Sequence, residues 1–415
     1  MKFEPFTLLV ISDPHAHSAN PTDSASPSYF STNALYASAR LNPIADISAL
    51  IRRTGLPVQW ILAPGDLGDK ADPSSQRHAW MELERIRTEV GARSLIGTTG
   101  NHDIDSKRQF PDFDPKSALQ ALSPPFPISR DCYEAGDQVY IDRFWSRNYV
   151  VIPDDDHDCT LVILNSSAFH GYSSDSKRPP NEHLRGKISP LTLDAITNAV
   201  ASRTSRLNIL LLHHHVKTHP WIQDGNSVMV GGDRLLEMLK STGKQWLIVH
   251  GHQHVPHLSY ADGDSLAPVV LSAGSVAAKT YPVRGRHPRN QIHLISLFPD
   301  RMDPSGAELL GTVMSWSWTA EVGWREAASD GGLPHMCGFG YRPTSLELRD
   351  SIINNIRSAT DQQLSWSQLG SSIPKLPYLI PDHLDNIVRL LQSSGVEVQF
   401  GPHGEPSLLE LRNAR

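Results

Sequence analysis

Short apolar runs, each followed by a cluster of polar residues, recur along the first two thirds of the chain. Five of these runs have the length of buried strands: 6–12, 58–63, 94–98, 207–212 and 246–249. Apolar residues at intervals of three and four predict helices over 43–53, 74–90 and 191–201, with Ser74 or Ser75 as the N-cap of the second. This alternation of strands and helices is typical of an α/β fold.

Further apolar runs predict a second set of strands. They lie at 149–152, 160–164, 268–272, 291–298 and 311–319. A linker rich in Pro, Asp and Gly separates the last two runs and favours a hairpin between them. We expect the last three runs to complete a second sheet.

The pattern changes after residue 325. Residues 325–343 are rich in Gly and lack a clear periodicity, which predicts a domain boundary. The segments beyond it are predicted as three helices and a β-hairpin: 346–358, 366–369, 381–392, 396–400 and 407–411. This order is typical of a winged-helix module. We therefore predict a first domain over 1–325, a linker over 326–343 and a winged-helix-like α+β module over 344–415.

The composition is that of an ordinary globular protein, with 39% hydrophobic and 20% charged residues among 415. Lys and Arg number 38 against 44 Asp and Glu, so the net charge is -6 and the chain has no polycationic footprint for nucleic acid. In the C-terminal module, six basic residues stand against eight acidic ones. That balance favours a protein partner or self-association over DNA for this module.

The apolar runs and the cysteines exclude other classes. No run approaches the roughly 20 residues that span a bilayer, and the first residues lack the apolar stretch of a signal peptide. We therefore expect no membrane association and a cytoplasmic location. The cysteines, Cys132, Cys159 and Cys337, are widely spaced, which indicates neither a disulfide framework nor a thiolate zinc site.

The polar clusters that follow the five first strands share one chemistry. They contain carboxylate, imidazole and amide groups, a ligand set that suits Mn, Fe, Zn or Co. Because ligand sites of α/β sheets lie beyond the carboxyl ends of the strands, we expect one convergent site. Seven candidate ligands suit two metal ions that share a carboxylate, and Asp66 is the natural bridge.

Over roughly residues 6–320, these motifs resemble the signature of the calcineurin-like metallophosphoesterase superfamily. The matching motifs are Asp13-Pro14-His15, Gly65-Asp66-Leu67-Gly68-Asp69, Gly100-Asn101-His102-Asp103, His213 and Gly251-His252-Gln253-His254. Asn165-Ser166 and the segment 186–189 are similar to the class III cyclic-nucleotide phosphodiesterase-like branch, where an Asp usually stands in place of Asn165.

The resemblance implies a two-sheet metallophosphoesterase sandwich with four αββα layers. It also implies two divalent metal ions, Mn, Fe or Zn, and a bridging hydroxide that attacks phosphorus. By the same resemblance, the first ion takes Asp13, His15, Asp66 and His254, and the second takes Asp66, Asn101, His213 and His252.

Other residues in and near these motifs have candidate roles beside the metal ions. His102 would protonate the leaving oxygen or stabilise the equatorial charge on phosphorus. Asp103 would orient His102 through its other ring nitrogen, and Asp69 would fix the loop or a ligating histidine. Arg284 and Arg286 are candidates for holding a substrate phosphate, with a solvated loop as the alternative.

The three consecutive histidines at 213–215 leave one choice open. The position of these residues after the strand does not show whether His213 or His214 binds metal, because the regular strand geometry is lost where a strand meets a loop. The resemblance favours His213, and His214 then either contacts substrate or caps the strand end.

Four functions compete at this level. The leading hypothesis is a metal-dependent phosphoesterase that hydrolyses a phosphodiester in a nucleotide or a related molecule. The alternatives are a nuclease acting on DNA or RNA, a phosphomonoesterase, and a non-catalytic binding scaffold. The phosphomonoesterase is less favoured because protein phosphatases usually carry Arg beside these motifs, whereas here Lys70 follows Asp69.

Overall fold

The structure is a computed structural model that describes residues 5–36, 40–110, 114–131, 135–172, 184–222, 227–299, 308–359 and 361–412. Cys132 and most of the predicted linker between the strands at 291–298 and 311–319 lie outside these residues. Within them, the helices are α1 (Ile47–Arg52), α2 (Pro73–Val90), α3 (Ser117–Gln120), α4 (Ala135–Arg147), α5 (Pro190–Ala201), α6 (Gly232–Ser241), α7 (Ser345–Ser358), α8 (Trp366–Ser372) and α9 (Pro381–Ser393).

Strands make up the centre of the molecule. In the described part of the chain they are β1 (Phe6–Val10), β2 (Trp60–Ala63), β3 (Ser94–Gly97), β4 (Ile128–Arg130), β5 (Tyr149–Asp154), β6 (Cys159–Leu164), β7 (Leu207–Leu211), β8 (Leu247–His250), β9 (His257–Tyr260), β10 (Val269–Ser272), β11 (Asn290–Pro299), β12 (Leu309–Thr319), β13 (Gly323–Glu326), β14 (Met336–Phe339), β15 (Gln363–Ser365), β16 (Val396–Phe400) and β17 (Pro406–Leu411).

Two large sheets face each other across one apolar core. The first has the order β13-β12-β11-β1-β2-β3-β4, with β14 also paired to β12, and the second has the order β5-β6-β7-β8-β10-β9. In β6, Leu161 and Ile163 join the core between the sheets, whereas Val162 and Leu164 pack with residues of α5 and α6. Because neighbouring strand residues point to opposite faces, this alternation makes the second sheet an inner layer. Residues of α1 and α2 pack against the first sheet, so the fold is the expected mixed α/β sandwich.

The long hairpin strands occupy a different position from the one predicted. We expected them in the second sheet, but β11 pairs antiparallel with β1, placing Val10 opposite His293, and β12 follows beside it. Only β10 joins the second sheet, through β8. A strand whose residues are apolar on both faces suits an inner position in either sheet. The apolar pattern of β11 therefore did not specify which strand it pairs with.

Two local expectations also differ from the structure. Helix α2 begins one residue earlier than predicted, because Pro73 occupies its first turn and the Asp72 side chain accepts a hydrogen bond from the Ser75 backbone N–H at 3.0 Å. Asp72 is therefore the N-cap, in place of Ser74 or Ser75. The segment 326–343, which lacks periodicity, contains β14, whose Val313↔Cys337 pairing attaches it to the first sheet. The three-part division of the chain stays a prediction.

The C-terminal elements follow the predicted order of helices and hairpin. Their apolar side chains form a separate core, which includes Leu348, Ile352 and Ile387. Ile380, just before α9, belongs instead to the core between the two large sheets. Gly338 N–H also donates to the Leu379 carbonyl at 3.2 Å, so the module is attached to the first sheet through its backbone.

None of the helices in the described residues combines the length and apolar character needed to cross a bilayer.

Candidate metal centre

The loops that follow β1, β2, β3, β7 and β8 meet at one edge of the sandwich. Backbone hydrogen bonds join them: Asp13 N–H donates to the Gly65 carbonyl at 3.2 Å, and His15 N–H donates to the Asp66 carbonyl at 3.0 Å. Across the two sheets, the His252 N–H donates to the Asp13 carboxylate at 3.0 Å. The structure therefore brings together the strand ends that the sequence predicted to converge.

Asp66 stands between two groups of candidate ligands. Its Oδ2 atom lies 3.4 Å from His15 Nε2 and also 3.4 Å from His213 Nε2. On the first side, His254 Nε2 lies 3.0 Å from His15 Nε2 and 3.4 Å from Asp13 Oδ1. Asp13, His15, Asp66 and His254 thus form one compact group of ligand atoms.

The second group surrounds Asn101. Its Oδ1 atom lies 3.0 Å from His213 Nε2 and 2.9 Å from His252 Nδ1. Two ligands that each lie about 2.1 Å from an ion at tetrahedral or octahedral angles are about 3.0–3.4 Å apart. Most distances in the two groups are close to this spacing, and one, between His15 Nε2 and Asp13 Oδ1, is longer at 3.9 Å. The residues present therefore fit two metal ions that share Asp66.

Five of the seven candidate ligands have left-handed backbone conformations that non-glycine residues rarely adopt. Their φ angles are 51° for Asp13, 46° for His15, 55° for Asp66, 83° for His252 and 56° for His254. Backbone strain of this kind persists only where the surrounding structure enforces it, and it clusters at functional sites.

Two glycines let these loops approach each other. A Cβ atom on Gly100 would lie 2.0 Å from Asp66 Oδ1, and one on Gly251 would lie 2.0 Å from Asp13 Oδ2. Any side chain at either position would displace a candidate metal ligand. The glycines of the motifs are therefore required by close packing.

The charges in the centre favour the metal-binding protonation states of Asp66 and His15, whereas burial, which lowers the pKa of His213, is outweighed by Asp66, which raises it to about 9. Burial raises the pKa of Asp66, but the neighbouring His213 and His102 outweigh burial and hold the pKa well below its usual range. Burial lowers the pKa of His15 to about 3. An ionised carboxylate and a neutral imidazole are the forms that coordinate metal ions.

His102 has a different partner from the one predicted. Its Nδ1 atom lies 3.0 Å from Asp69 Oδ1, whereas the Asp103 carboxylate accepts the backbone N–H groups of Asp66, Leu67 and Gly100, each at 2.8 Å. Asp103 points back into the loops and ties β2 to β3, so it does not orient His102. Asp69 has that contact.

The same neighbours affect the pKa values of this group. Burial lowers the pKa of His102, but the carboxylates of Asp66 and Asp69 outweigh burial and raise it above its ordinary value. Burial and the negative charge of Asp66 raise the pKa of Asp103 to about 7. His102 therefore favours carrying a proton, which a general acid requires.

His213 and His214 have different surroundings. His213 Nδ1 lies 2.7 Å from the Pro64 carbonyl, which leaves Nε2 facing Asp66 and Asn101. His214 Nδ1 lies 2.8 Å from Ser166 Oγ, and its buried Nε2 has no hydrogen-bond partner among the described residues. Both histidines lie near His252, and His213 is the one that contacts the shared carboxylate.

The structure does not bring Arg284 and Arg286 to the centre. Arg284 donates to the Pro220 carbonyl at 3.0 Å, and the Arg286 guanidinium lies over the Trp221 ring at 4.2 Å. From the same segment, Lys279 and Tyr281 line a cavity together with His252 and His254. Tyr281 belongs to none of the sequence motifs, and its only sequence signal is that it is an aromatic residue in the basic segment 279–289.

Comparisons with protein families agree with this geometry. A family model described as calcineurin-like phosphoesterase matches residues 6–256. A second, described as wHTH-Calcineurin_assc, matches residues 337–393 in the C-terminal part. No curated protein matches the chain.

Three solved structures illustrate what the chain is similar to. A dimetal phosphatase from Danio rerio is 13% identical over 78% of this chain and 98% of its own, with a TM-score of 0.47. PhoD is 11% identical over 80% of this chain and 74% of its own, with a TM-score of 0.41. Purple acid phosphatase PPD1 from yellow lupin (Lupinus luteus) seeds is 10% identical over 82% of this chain and 54% of its own, with a TM-score of 0.45.

Proposed function

Because the chain belongs to the calcineurin-like phosphoesterase family, we propose that it hydrolyses a phosphodiester with the help of two divalent metal ions. The observation that carries this proposal is the position of Asp66. One of its carboxylate oxygens is equally distant, at 3.4 Å, from a histidine of each ligand group. A shared carboxylate is what a two-metal phosphoesterase site requires.

Each ligand group would hold one ion. Asp13, His15 and His254 would bind the first with Asp66, and Asn101, His213 and His252 would bind the second with Asp66. When bound, the ions supply an activated water and neutralise charge on the phosphoryl oxygens. Mn, Fe and Zn all suit these ligands.

Residues of the chain would protonate the leaving group. Hydrolysis forms a P–O bond from water and breaks the P–O bond to the leaving oxygen, which must gain a proton. His102 would donate that proton from Nε2, because Nδ1 is held by Asp69 at 3.0 Å. Asp69 would keep the ring in this orientation and stabilise its charged form.

A diester is favoured over a monoester because the centre has a cavity on each of two sides. One cavity is lined by Asn101, His102 and Lys107. The other is lined by His252, His254 and Tyr281. A phosphodiester has two substituents, and each cavity would take one. The similarity of the 165–166 and 186–189 segments to the class III cyclic-nucleotide phosphodiesterase-like branch agrees with this choice.

The test compares bis-p-nitrophenyl phosphate with p-nitrophenyl phosphate in the presence of Mn²⁺, with Asp66→Asn as the blank. We expect faster metal-dependent hydrolysis of the diester and no activity of the variant on either compound. Preference for the monoester would favour a phosphomonoesterase. Activity on neither compound would contradict the proposal for small substrates and favour a nuclease or a scaffold.

A further inference from the structure

The cavity beside His252 and His254 has an unusual wall. Its volume is about 270 Å³, and the segment 279–288 forms the side that faces the two histidines. Tyr281 lies in this wall with 73% of its surface exposed. A large aromatic ring exposed beside a candidate metal centre is available to pack against a ligand.

The loop that carries Tyr281 is anchored at several points. Lys279 N–H donates to the Pro27 carbonyl at 2.9 Å, and Thr280 Oγ1 donates to the Pro288 carbonyl at 2.6 Å. Val283 and Arg286 exchange backbone hydrogen bonds around a two-residue turn, in which the φ angles are 48° at Arg284 and 75° at Gly285. Positive φ at both central residues is typical of a tight type I′ turn. The backbone on both sides of Tyr281 is therefore anchored.

The other cavity differs in size and chemistry. It has a volume of about 60 Å³ and is lined by His102 and by exposed polar residues that include Lys70, Lys107 and Gln109. Because His102 is the proton donor of the proposed function, the leaving oxygen lies on this side, and the leaving group extends past polar residues into solvent. The larger substituent that stays on phosphorus then faces Tyr281.

We propose that Tyr281 stacks on the base of a nucleoside that remains attached to the phosphoryl group, so that the substrate is a phosphodiester of a nucleotide. This inference rests on the proposed function and names its substrate class. A flat base suits the cavity because an exposed aromatic residue lies in its wall, and the polar side chain of Gln253 also lines it. Stacking also tolerates any base, since every base has a π-face.

The experiment uses two diesters with the same leaving group. Thymidine 5′-(p-nitrophenyl phosphate) carries a base on the retained side, and ethyl p-nitrophenyl phosphate carries none. We expect Tyr281→Ala to raise KM for the thymidine ester about tenfold and to leave KM for the ethyl ester within about twofold. Tyr281→Phe keeps the ring and should match the wild type. Phe400→Ala removes another exposed aromatic residue, in β16, and should change neither ester.

Calorimetric binding of thymidine 5′-monophosphate provides a measurement that does not depend on turnover. Weaker binding to Tyr281→Ala, together with a KM increase confined to the thymidine ester, would support the inference. Equal changes for both esters, or no change for either, would overturn it while leaving phosphodiester hydrolysis intact. If the wild type hydrolyses neither ester but binds the nucleotide through Tyr281, the proposed function fails and the nucleotide site stands.

Discussion

At the residue scale, the centre separates two kinds of acidic residue. Asp13 and Asp66 face the histidines of the ligand groups, at 3.4 Å or slightly more. Asp103 accepts hydrogen bonds from four backbone N–H groups of the loops, while Asp69 contacts His102. The four carboxylates therefore have three different surroundings: the histidines of the ligand groups, the backbone N–H groups of the loops, and the His102 ring.

We predict that Asp69→Asn and Asp103→Ala fail in different ways. Asp69→Asn should lower kcat about 10- to 100-fold with Mn²⁺ binding retained, because His102 loses its partner but no ligand is lost. His102→Ala should lower kcat by about 100-fold or more, also with metal retained. These changes are measured by steady-state kinetics on a diester with an alkyl leaving group, whose oxygen must gain a proton, alongside Mn²⁺ titration calorimetry.

Asp103→Ala should instead destabilise the protein by on the order of 3 kcal/mol, since four buried N–H groups lose their acceptor. Urea unfolding measures this loss. Equal loss of metal in Asp69→Asn and Asp103→Ala would contradict the separation of roles.

At the scale of elements, the loops after β2 and β3 are built around Gly100. Gly100 does not have a left-handed backbone conformation. Glycine is required at this position only because a side chain would not fit. A methyl group there meets the Asp66 carboxylate, and the loop must move to accommodate it. The loop is also tied in place, since Gly100 N–H donates to Asp103 at 2.8 Å.

We predict that Gly100→Ala weakens Mn²⁺ binding by about 10- to 100-fold without changing the secondary structure, because the shift falls on a ligand and not on a strand. Equilibrium dialysis with Mn²⁺ and circular dichroism measure the two effects. Gly370→Ala is the matched control: nothing lies within 4 Å of its Cβ position, and it is in helix α8. The control should stabilise the protein by about 0.5–1 kcal/mol and leave metal binding unchanged. Unchanged binding in Gly100→Ala would contradict Asp66 as a ligand.

At the scale of the whole molecule, the C-terminal elements are attached to the sandwich by apolar and polar contacts. Ile380 is buried in the core between the two sheets, although it directly precedes α9. Nearby, His257 of β9 lies 3.2 Å from the Asp382 carboxylate of α9. Because the Ile380 side chain belongs to the core of the sandwich, we expect the sandwich and the C-terminal elements to unfold together.

We predict that the chain unfolds in one thermal transition and that Ile380→Ala lowers its stability by about 2–4 kcal/mol. Ile387→Ala, which removes a residue from the separate core of the module, should shift the same transition. Differential scanning calorimetry measures both variants. Two transitions, with Ile387→Ala affecting only one of them, would show that the module unfolds independently.

The sequence by itself determined which residues stand at the strand ends and the order of the C-terminal elements. Asp13, Asp66 and Asn101 directly follow buried apolar runs, and such runs identify strands without knowledge of their neighbours. The same local pattern predicted that the candidate ligands converge, because parallel strands present their carboxyl ends at one edge.

Only the tertiary structure decided the contacts between distant segments. Whether the carboxylate of Asp69 or that of Asp103 contacts His102 depends on the conformation of the loops. That conformation is set by packing between loops, for example between Gly100 and Asp66. The pairing of β11 with β1 depends on which sheet has an open edge. Tyr281 and His254, which are 27 residues apart in sequence, line the same cavity because of where the loop of Tyr281 is anchored. The periodicity of apolar residues along the chain does not predict these contacts, because they join residues that are far apart in sequence.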